Sequence, residues 1–184
     1  MSRLTVKTDK NTGGGSLTSR KLKFSLISAT ALGCLLIQTQ PSNAQDWELT
    51  QTFLNPTPED FNRFGSSVGI SGNLALIGTP LDNTSDTSIG AAYLFNTNTG
   101  DLLQTFLNPT PEDSNNFSYS VGISGNLALT GTPNYNTAAT SSGAAYLFNN
   151  NTGDLLQTFL NPTPENSDQF GYSVGISGNL ALIG

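Results

Sequence analysis

A 53-residue repeat constrains this chain more than any other feature of its sequence. The string QTFLNPTPE begins at Gln51 and recurs at Gln104 and Gln157, each time 53 residues further on. The strings SVGISGNLAL and GAAYLFN recur with the same step, and no gap is needed to align the copies. A fixed period of this length indicates a repeat architecture, in which each unit packs against its neighbours.

The repeat divides residues 45–184 into units at 51–103, 104–156 and a truncated 157–184. Each complete unit is expected to form four short antiparallel strands, because runs of alternating apolar residues are separated by turn signals such as Gly72-Asn73. Prolines follow the fourth run and stop it. Four strands in about 50 residues is the size of one β-propeller blade. In the first unit the predicted strands are 67–71, 73–79, 91–96 and 102–107.

The alternation also predicts which side chains share a face. Tyr93 and Phe95 are expected on one face of the third strand, and Ala92 and Leu94 on the other. Leu102 and Phe106 are expected on one face of the fourth strand. The recurring aromatic residues are therefore predicted to form the core between blades: Tyr93, Phe95, Phe106, Tyr146, Phe148 and Phe159.

Four elements of the first unit form a pattern: Phe64-Gly65, Ser67-Val68-Gly69-Ile70-Ser71-Gly72, Gly78-Thr79-Pro80 and Gly90-Ala91-Ala92-Tyr93-Leu94-Phe95. This pattern resembles the bacterial FG-GAP repeat, a family related to the propeller of integrin α chains. The resemblance covers residues 46–184, and it implies an all-β propeller with an adhesion-like role. The second unit departs from the pattern, with Phe117-Ser118 in place of Phe-Gly. The connection at 71–73 is too short for the calcium loop of integrin-type repeats.

The ring that these units form is expected to be incomplete. A lone fourth strand over residues 48–54, two full sets of four and two final strands predict eleven strands, fewer than three blades. Propellers have at least four blades, so open faces are expected at both ends. We expect the chain to be a fragment, because it stops at Gly184 inside the Gly-Thr-Pro element. The alternative is that copies associate to complete the propeller.

The first 44 residues have the features of a secretory signal peptide. Lys21 and Lys23 precede an apolar run at 24–37, and small residues end at Ala44, after which cleavage is expected. The run is short for a membrane-spanning helix, although an uncleaved anchor is the alternative. The mature chain is therefore predicted to be secreted, periplasmic or at the cell surface, with no membrane insertion.

The charge distribution excludes a nucleic-acid partner. After residue 44 the chain has one basic residue, Arg63, and twelve acidic ones, a formal charge of −11. Such a surface cannot neutralise a row of phosphates, and it would be repelled by an anionic membrane. Cationic ligands and neutral ligands such as sugars remain compatible with it.

The residues that catalysis or metal binding would use are few. The sequence has no His, and its one cysteine, Cys34, lies in the predicted signal, so triads and zinc sites of the usual kind are excluded. The acidic pairs Glu59-Asp60 and Glu112-Asp113 lie at one place in the repeat, which is typical of a solvated turn.

Asp82 and Asp86 are the candidate calcium ligands, since hard oxygen donors lie close together there. The alternative is a flexible polar loop, because the second copy at 134–142 has no acid.

The sequence thus leads to three hypotheses. The first is an exported, non-catalytic propeller module that binds a protein or glycan through variable loops such as 81–89. The second is a glycosidase-like propeller enzyme that uses carboxylates, with Glu59 and Glu112 as the candidates. The third is a truncated gene product without independent function. No cofactor is expected, apart from the candidate calcium ion.

Overall fold

The computed structural model describes residues 34–38, 48–83, 90–111 and 115–184, and all regular structure in these ranges is β. No helix in the described part of the chain is long and apolar enough to span a membrane. The strands are β1 (Cys34–Gln38), β2 (Glu48–Phe53), β3 (Ser67–Ser71), β4 (Leu74–Thr79), β5 (Ala91–Asn96), β6 (Leu102–Leu107), β7 (Ser120–Ser124), β8 (Leu127–Thr132), β9 (Ala144–Asn149), β10 (Leu155–Leu160), β11 (Val174–Ser177) and β12 (Leu180–Ile183).

These strands form two four-stranded antiparallel sheets and two antiparallel pairs. We call the sheet β3-β4-β5-β6 the first blade and the sheet β7-β8-β9-β10 the second blade. β11 pairs with β12, and β1 pairs with β2. The all-β prediction, with incomplete propeller-like blades of four short strands, is confirmed. β4 starts one residue later than predicted, because Asn73 belongs to the tight turn after Gly72, whose φ is +58°.

One strand was not predicted. The sequence indicated eleven strands, and the described residues contain a twelfth, β1, which pairs with β2 from Cys34↔Phe53 to Gln38↔Glu48. Without β1, this edge of β2 would expose unpaired N–H and C=O groups, and an apolar segment nearby can satisfy them. β1 lies inside the predicted signal peptide, whose remaining residues fall outside the described ranges. The signal peptide itself stays a prediction.

The predicted face of Leu102 is also wrong. The register of β5 and β6 shifts between Leu94 and Phe95, so that Leu102 lies opposite Phe95 while Phe106 lies opposite Ala92. A bulge inserts one extra residue into a strand and reverses the alternation beyond it. Leu102 and Phe106 therefore point to opposite faces, and only Phe106 is buried.

The apolar core lies between stacked blades. The first blade contributes Leu76, Leu94 and Phe106 to a cluster that the second blade completes with residues such as Tyr146 and Phe148. The rings of Phe106 and Phe148 have centroids 5.0 Å apart, a spacing at which aromatic pairs attract. The predicted inter-blade role of the aromatic residues is confirmed for all of them except Phe159, which is only partly buried.

A second cluster repeats this arrangement at the start of the described blades. Phe53 on β2 packs against Phe95, with ring centroids 5.1 Å apart. Phe53 is the counterpart of Phe106 one repeat earlier, and Phe95 is the counterpart of Phe148. β2 therefore occupies the place of a fourth strand in a blade that precedes the first one.

A close backbone contact explains the glycines of the repeat. A Cβ at Gly78 would lie 2.3 Å from the carbonyl oxygen of Ser118, and a Cβ at Gly90 would lie 2.2 Å from that of Phe117. The Phe-Gly position of each blade thus rests on the backbone of the preceding blade. Ser118 replaces glycine there at a φ of +65°, and its hydroxyl accepts a hydrogen bond from the Thr79 amide (3.0 Å) and donates to the Ala91 carbonyl. These bonds compensate for the departure from the motif.

We predict that Phe117→Ala destabilises the chain by about 3–5 kcal/mol, because it empties a fully buried site between the blades. The ring of Phe117 packs against those of Tyr146 and Phe148. Urea unfolding followed by circular dichroism measures the change. Phe61→Ala is the matched control, since the exposed Phe61 should change the free energy of unfolding by less than about 0.5 kcal/mol. Equal losses in the two variants would contradict the packing described.

Candidate functional site

One end of the first and second blades carries their long connections, and we call it the loop end. Adjacent antiparallel strands run in opposite directions, so the segments that join blades and the connections between second and third strands meet at the same end. Hydrogen bonds link the two kinds of segment, as between the Asn83 side chain and Glu59 (3.3 Å) and between the Ser167 amide and the Thr140 carbonyl (2.9 Å). At the opposite end, the strands of these two blades are joined by short turns. The loop end comprises residues 54–66, 80–90, 108–119, 133–143 and 161–173, where described.

Asp82 is a buried anchor of the loop end. Its Oδ2 accepts hydrogen bonds from the Thr57 hydroxyl (2.7 Å), the Tyr93 hydroxyl (2.8 Å) and, more weakly, the Asn62 side-chain amide (3.4 Å). The Thr57 and Tyr93 hydroxyl oxygens lie 2.7 Å from each other. Buried polar groups are stable only when they are paired in this way. Asp82 thus ties the 80–90 connection to both the blade-joining segment and the blade.

The second blade keeps part of this network without the acid. Thr110 and Tyr146 share a hydrogen bond of 2.6 Å, at the place where the Thr57 and Tyr93 hydroxyls lie in the first blade. Tyr135 stands in the position of Asp82 and packs instead against the apolar cluster between the blades. The two units therefore use one scaffold and fix their loops by different means.

The calcium prediction is not tested by this arrangement. Asp82 is described, and its Oδ2 already accepts three hydrogen bonds, whereas Asp86 lies outside the described residues. No cluster of three or more His, Cys, Asp or Glu side chains suited to a metal occurs among the residues that the structure describes. Calcium binding by Asp82 and Asp86 stays a prediction.

Glu59 and Asp60 lie where the sequence placed them, in a blade-joining segment. Glu59 and Asp60 are exposed, and Glu59 accepts the hydrogen bond from Asn83. Glu112 and Asp113 lie outside the described residues. The third copy, Glu165, is exposed too, and its amide donates to the Asp168 carboxylate (2.7 Å). The described members of this set have the surroundings of turn residues.

Sequence analysis missed a pair of tyrosines at the loop end. Tyr119 and Tyr172 occupy equivalent positions in successive units, where the first unit has Ser66. Their ring centroids are 4.9 Å apart, and the Tyr119 hydroxyl donates to that of Tyr172 at 3.0 Å. The change from Ser66 to tyrosine in the later copies could have drawn attention to this position. The periodicity of the strands does not reveal that the two rings are in contact.

Tyr119, the more covered member of this pair, is uncharged near neutral pH. The pKa of Tyr119 is raised above its usual range, chiefly by the hydrogen bond to Tyr172 and then by desolvation, while Arg63 lowers it to a smaller extent. An unperturbed tyrosine already has a pKa near 10, so a raised value keeps the hydroxyl protonated. Tyr172 remains largely exposed. The loop end thus presents two neighbouring aromatic rings beside the Arg63 guanidinium group.

Comparison with known proteins agrees with the repeat. A family model described as the FG-GAP repeat matches residues 47–95 and 110–148. No curated protein matches the chain. Among solved structures, the computationally designed Ika4 protein is 12% identical, with a TM-score of 0.33, over 67% of this chain and 85% of that chain. The designed Ika8 protein is 12% identical, with a TM-score of 0.31, over 65% of this chain and 42% of that chain. TM-scores this low support no inference from either design.

We predict that Asp82→Ala lowers the free energy of unfolding by about 2 kcal/mol, because it leaves buried donors without their acceptor. Thermal or urea unfolding of the two chains measures the difference. Asn83→Ala is the control, since this neighbouring side chain is exposed and should contribute less than about 0.5 kcal/mol. If Asp82→Ala were as mild as Asn83→Ala, the anchoring role of Asp82 would be wrong.

Proposed function

Because this chain is an FG-GAP repeat protein, we propose that it is an exported, non-catalytic module that binds a protein or glycan ligand through its loop end. Repeats of this family suggest a propeller-like interaction module. The strands of successive units are nearly identical, while the loops 81–89 and 134–142 differ. Loops held on a rigid scaffold are where such proteins place specificity.

The tyrosine pair is the observation that favours a glycan. Exposed, uncharged aromatic rings stack on the C–H faces of sugar rings, and Tyr119 and Tyr172 together offer a surface wider than one ring. Side chains that can hydrogen-bond sugar hydroxyls occur at one repeat position nearby: Arg63, Asn116 and Gln169. The large negative charge after residue 44 favours a neutral ligand over an acidic one.

We predict that the purified chain binds neutral glycans on an immobilised panel and that Tyr172→Ala weakens this binding at least about tenfold, which corresponds to the loss of about 1.4 kcal/mol. Asn151→Ser is the control, because this exposed residue lies in a turn at the opposite end of the blades. Replacing 81–89 by the sequence of 134–142 should change which glycans bind, since both loops have the same length.

Each other outcome has a definite meaning. If no glycan binds, but the chain captures a defined protein in a manner sensitive to Tyr172→Ala, the ligand is a protein. If binding is unaffected by both the tyrosine change and the loop exchange, the loop end is not the site. If glycans are cleaved and Glu59→Gln abolishes the cleavage, the chain is a glycosidase, and the non-catalytic assignment is wrong.

Export makes a separate prediction. We expect the chain recovered outside the cytoplasm to begin at Gln45, because the basic segment, the apolar run and the small residues up to Ala44 form a cleavable signal. Mass spectrometry of the intact recovered protein measures the N-terminus. Replacing Ala44 by a bulky residue, as in Ala44→Phe, should block this cleavage. A chain that keeps its N-terminus and stays in the cytoplasm would contradict the localisation.

A further inference from the structure

Successive blades are joined by a ladder of hydrogen bonds along their first strands. Ser67 accepts a bond at its Oγ from the Val121 amide of the next blade (2.9 Å), and Ser71 accepts one from the Gly125 amide (3.0 Å). One repeat later the same two bonds recur, from Val174 to Ser120 (3.0 Å) and from Gly178 to Ser124 (2.9 Å). The contact between β3 and β7 is therefore reproduced between β7 and β11.

An isoleucine meets a glycine in each of these contacts. A Cβ built on Gly69 would lie 3.1 Å from Cγ2 of Ile123, and one built on Gly122 would lie 3.2 Å from Cγ2 of Ile176. The missing side chain of each glycine makes room for the isoleucine of the following blade. This gives the interface a defined shape in addition to its hydrogen bonds.

Each end of the stack holds one unused half of this interface. Ile70 is 58% exposed and Val68 is 55% exposed, whereas their counterparts Ile123 and Val121 are 7% and 6% exposed. At the other end, nothing lies within 4 Å of a Cβ built on Gly175, although both equivalent glycines meet an isoleucine. Exposed apolar surface of this kind marks an interaction site.

We propose that the two unused halves bind each other in a second copy of this chain. Ile70 of one copy packs on Gly175 of the other, as Ile123 packs on Gly69. The Val68 amide donates to Ser173, and the Gly72 amide donates to Ser177, which continues the ladder. Leu182, now 79% exposed, is covered as its counterpart Leu76 is covered within the chain. The partner is fixed by continuity with an interface that the chain already makes twice.

The number of strands in each chain indicates that two chains form a closed ring. β1 and β2 fill the third- and fourth-strand places of a blade ahead of β3, because β1 pairs with β2 in the register that β5 has with β6. β11 and β12 are the first and second strands of a blade after β10. Docking places these partial blades together, so that each chain accounts for two full blades and one shared blade. Two copies of the strands β1 to β12 then give six blades, within the usual range of four to eight, whereas three copies would exceed it. A head-to-tail contact that closes forms a ring.

Light scattering after size-exclusion chromatography of the full chain tests this proposal over a range of micromolar concentrations. We expect twice the chain mass. Gly175→Val fills the pocket for Ile70 but meets no atom in its own chain, so it should leave the circular dichroism unchanged and raise the dimer dissociation constant at least about tenfold. Asn151→Ser, away from both faces, should leave the mass unchanged.

A cross-linking experiment tests the contact between Ile70 and Gly175 through the formation of a covalent bond, whereas the Gly175→Val variant tests it through a weaker dimer. Under oxidising conditions, a chain with Ile70→Cys mixed with a chain with Gly175→Cys should give a covalent dimer, while either chain alone should not. Both are made with Cys34→Ser to remove the native thiol. A monomer at every concentration, an open-ended series of masses, or a dimer insensitive to Gly175→Val would each overturn the closed pair.

Discussion

The approach of each blade to the backbone of the preceding one is the constraint on which the structure depends. The Phe-Gly position of a blade lies so close to the preceding blade that Gly78 and Gly90 have no room for a side chain. This contact fixes the spacing of the sheets, and the spacing lets Phe106 reach Phe148. The motif therefore persists because of interactions between units. An isolated unit would leave one face of its sheet uncovered, as repeat proteins generally do.

Burial in this chain is consequently decided by the neighbouring blade and much less by the residue itself. Identical SVGIS strands are covered in the second blade and open in the first, because only the second has a complete blade in front of it. The conformation of the loop end depends much less on the neighbouring blade. Its segments are held by local anchors such as Asp82 or Tyr135, so the loops can differ while the stacked strands stay nearly the same. The surfaces that join the blades are thus separated in space from the loop end.

The strand pattern was predictable because it depends on local alternation and turn residues, and the observed limits of β3, β5 and β6 match the prediction. The bulge that turns Leu102 away from Phe106 was not, since its register depends on how two strands pair. The pairing of β1 with β2 escaped prediction for the same reason. At the loop end, Asp82 was noticed as an acid, but its bonds to Thr57 and Tyr93 arise from residues brought together only by folding. The meeting of Tyr119 and Tyr172 needs the stacked blades as well.

Amide hydrogen exchange tests most directly the claim that neighbouring blades determine protection. The peptides covering β3, β7 and β11 have nearly the same sequence, so their intrinsic exchange rates are similar and differences report on their surroundings. In dilute solution we expect β7, covered on both sides, to exchange most slowly. At high concentration, β3 and β11 should approach the rate of β7 as copies cover their open faces. Equal exchange of the three strands in dilute solution would contradict the account.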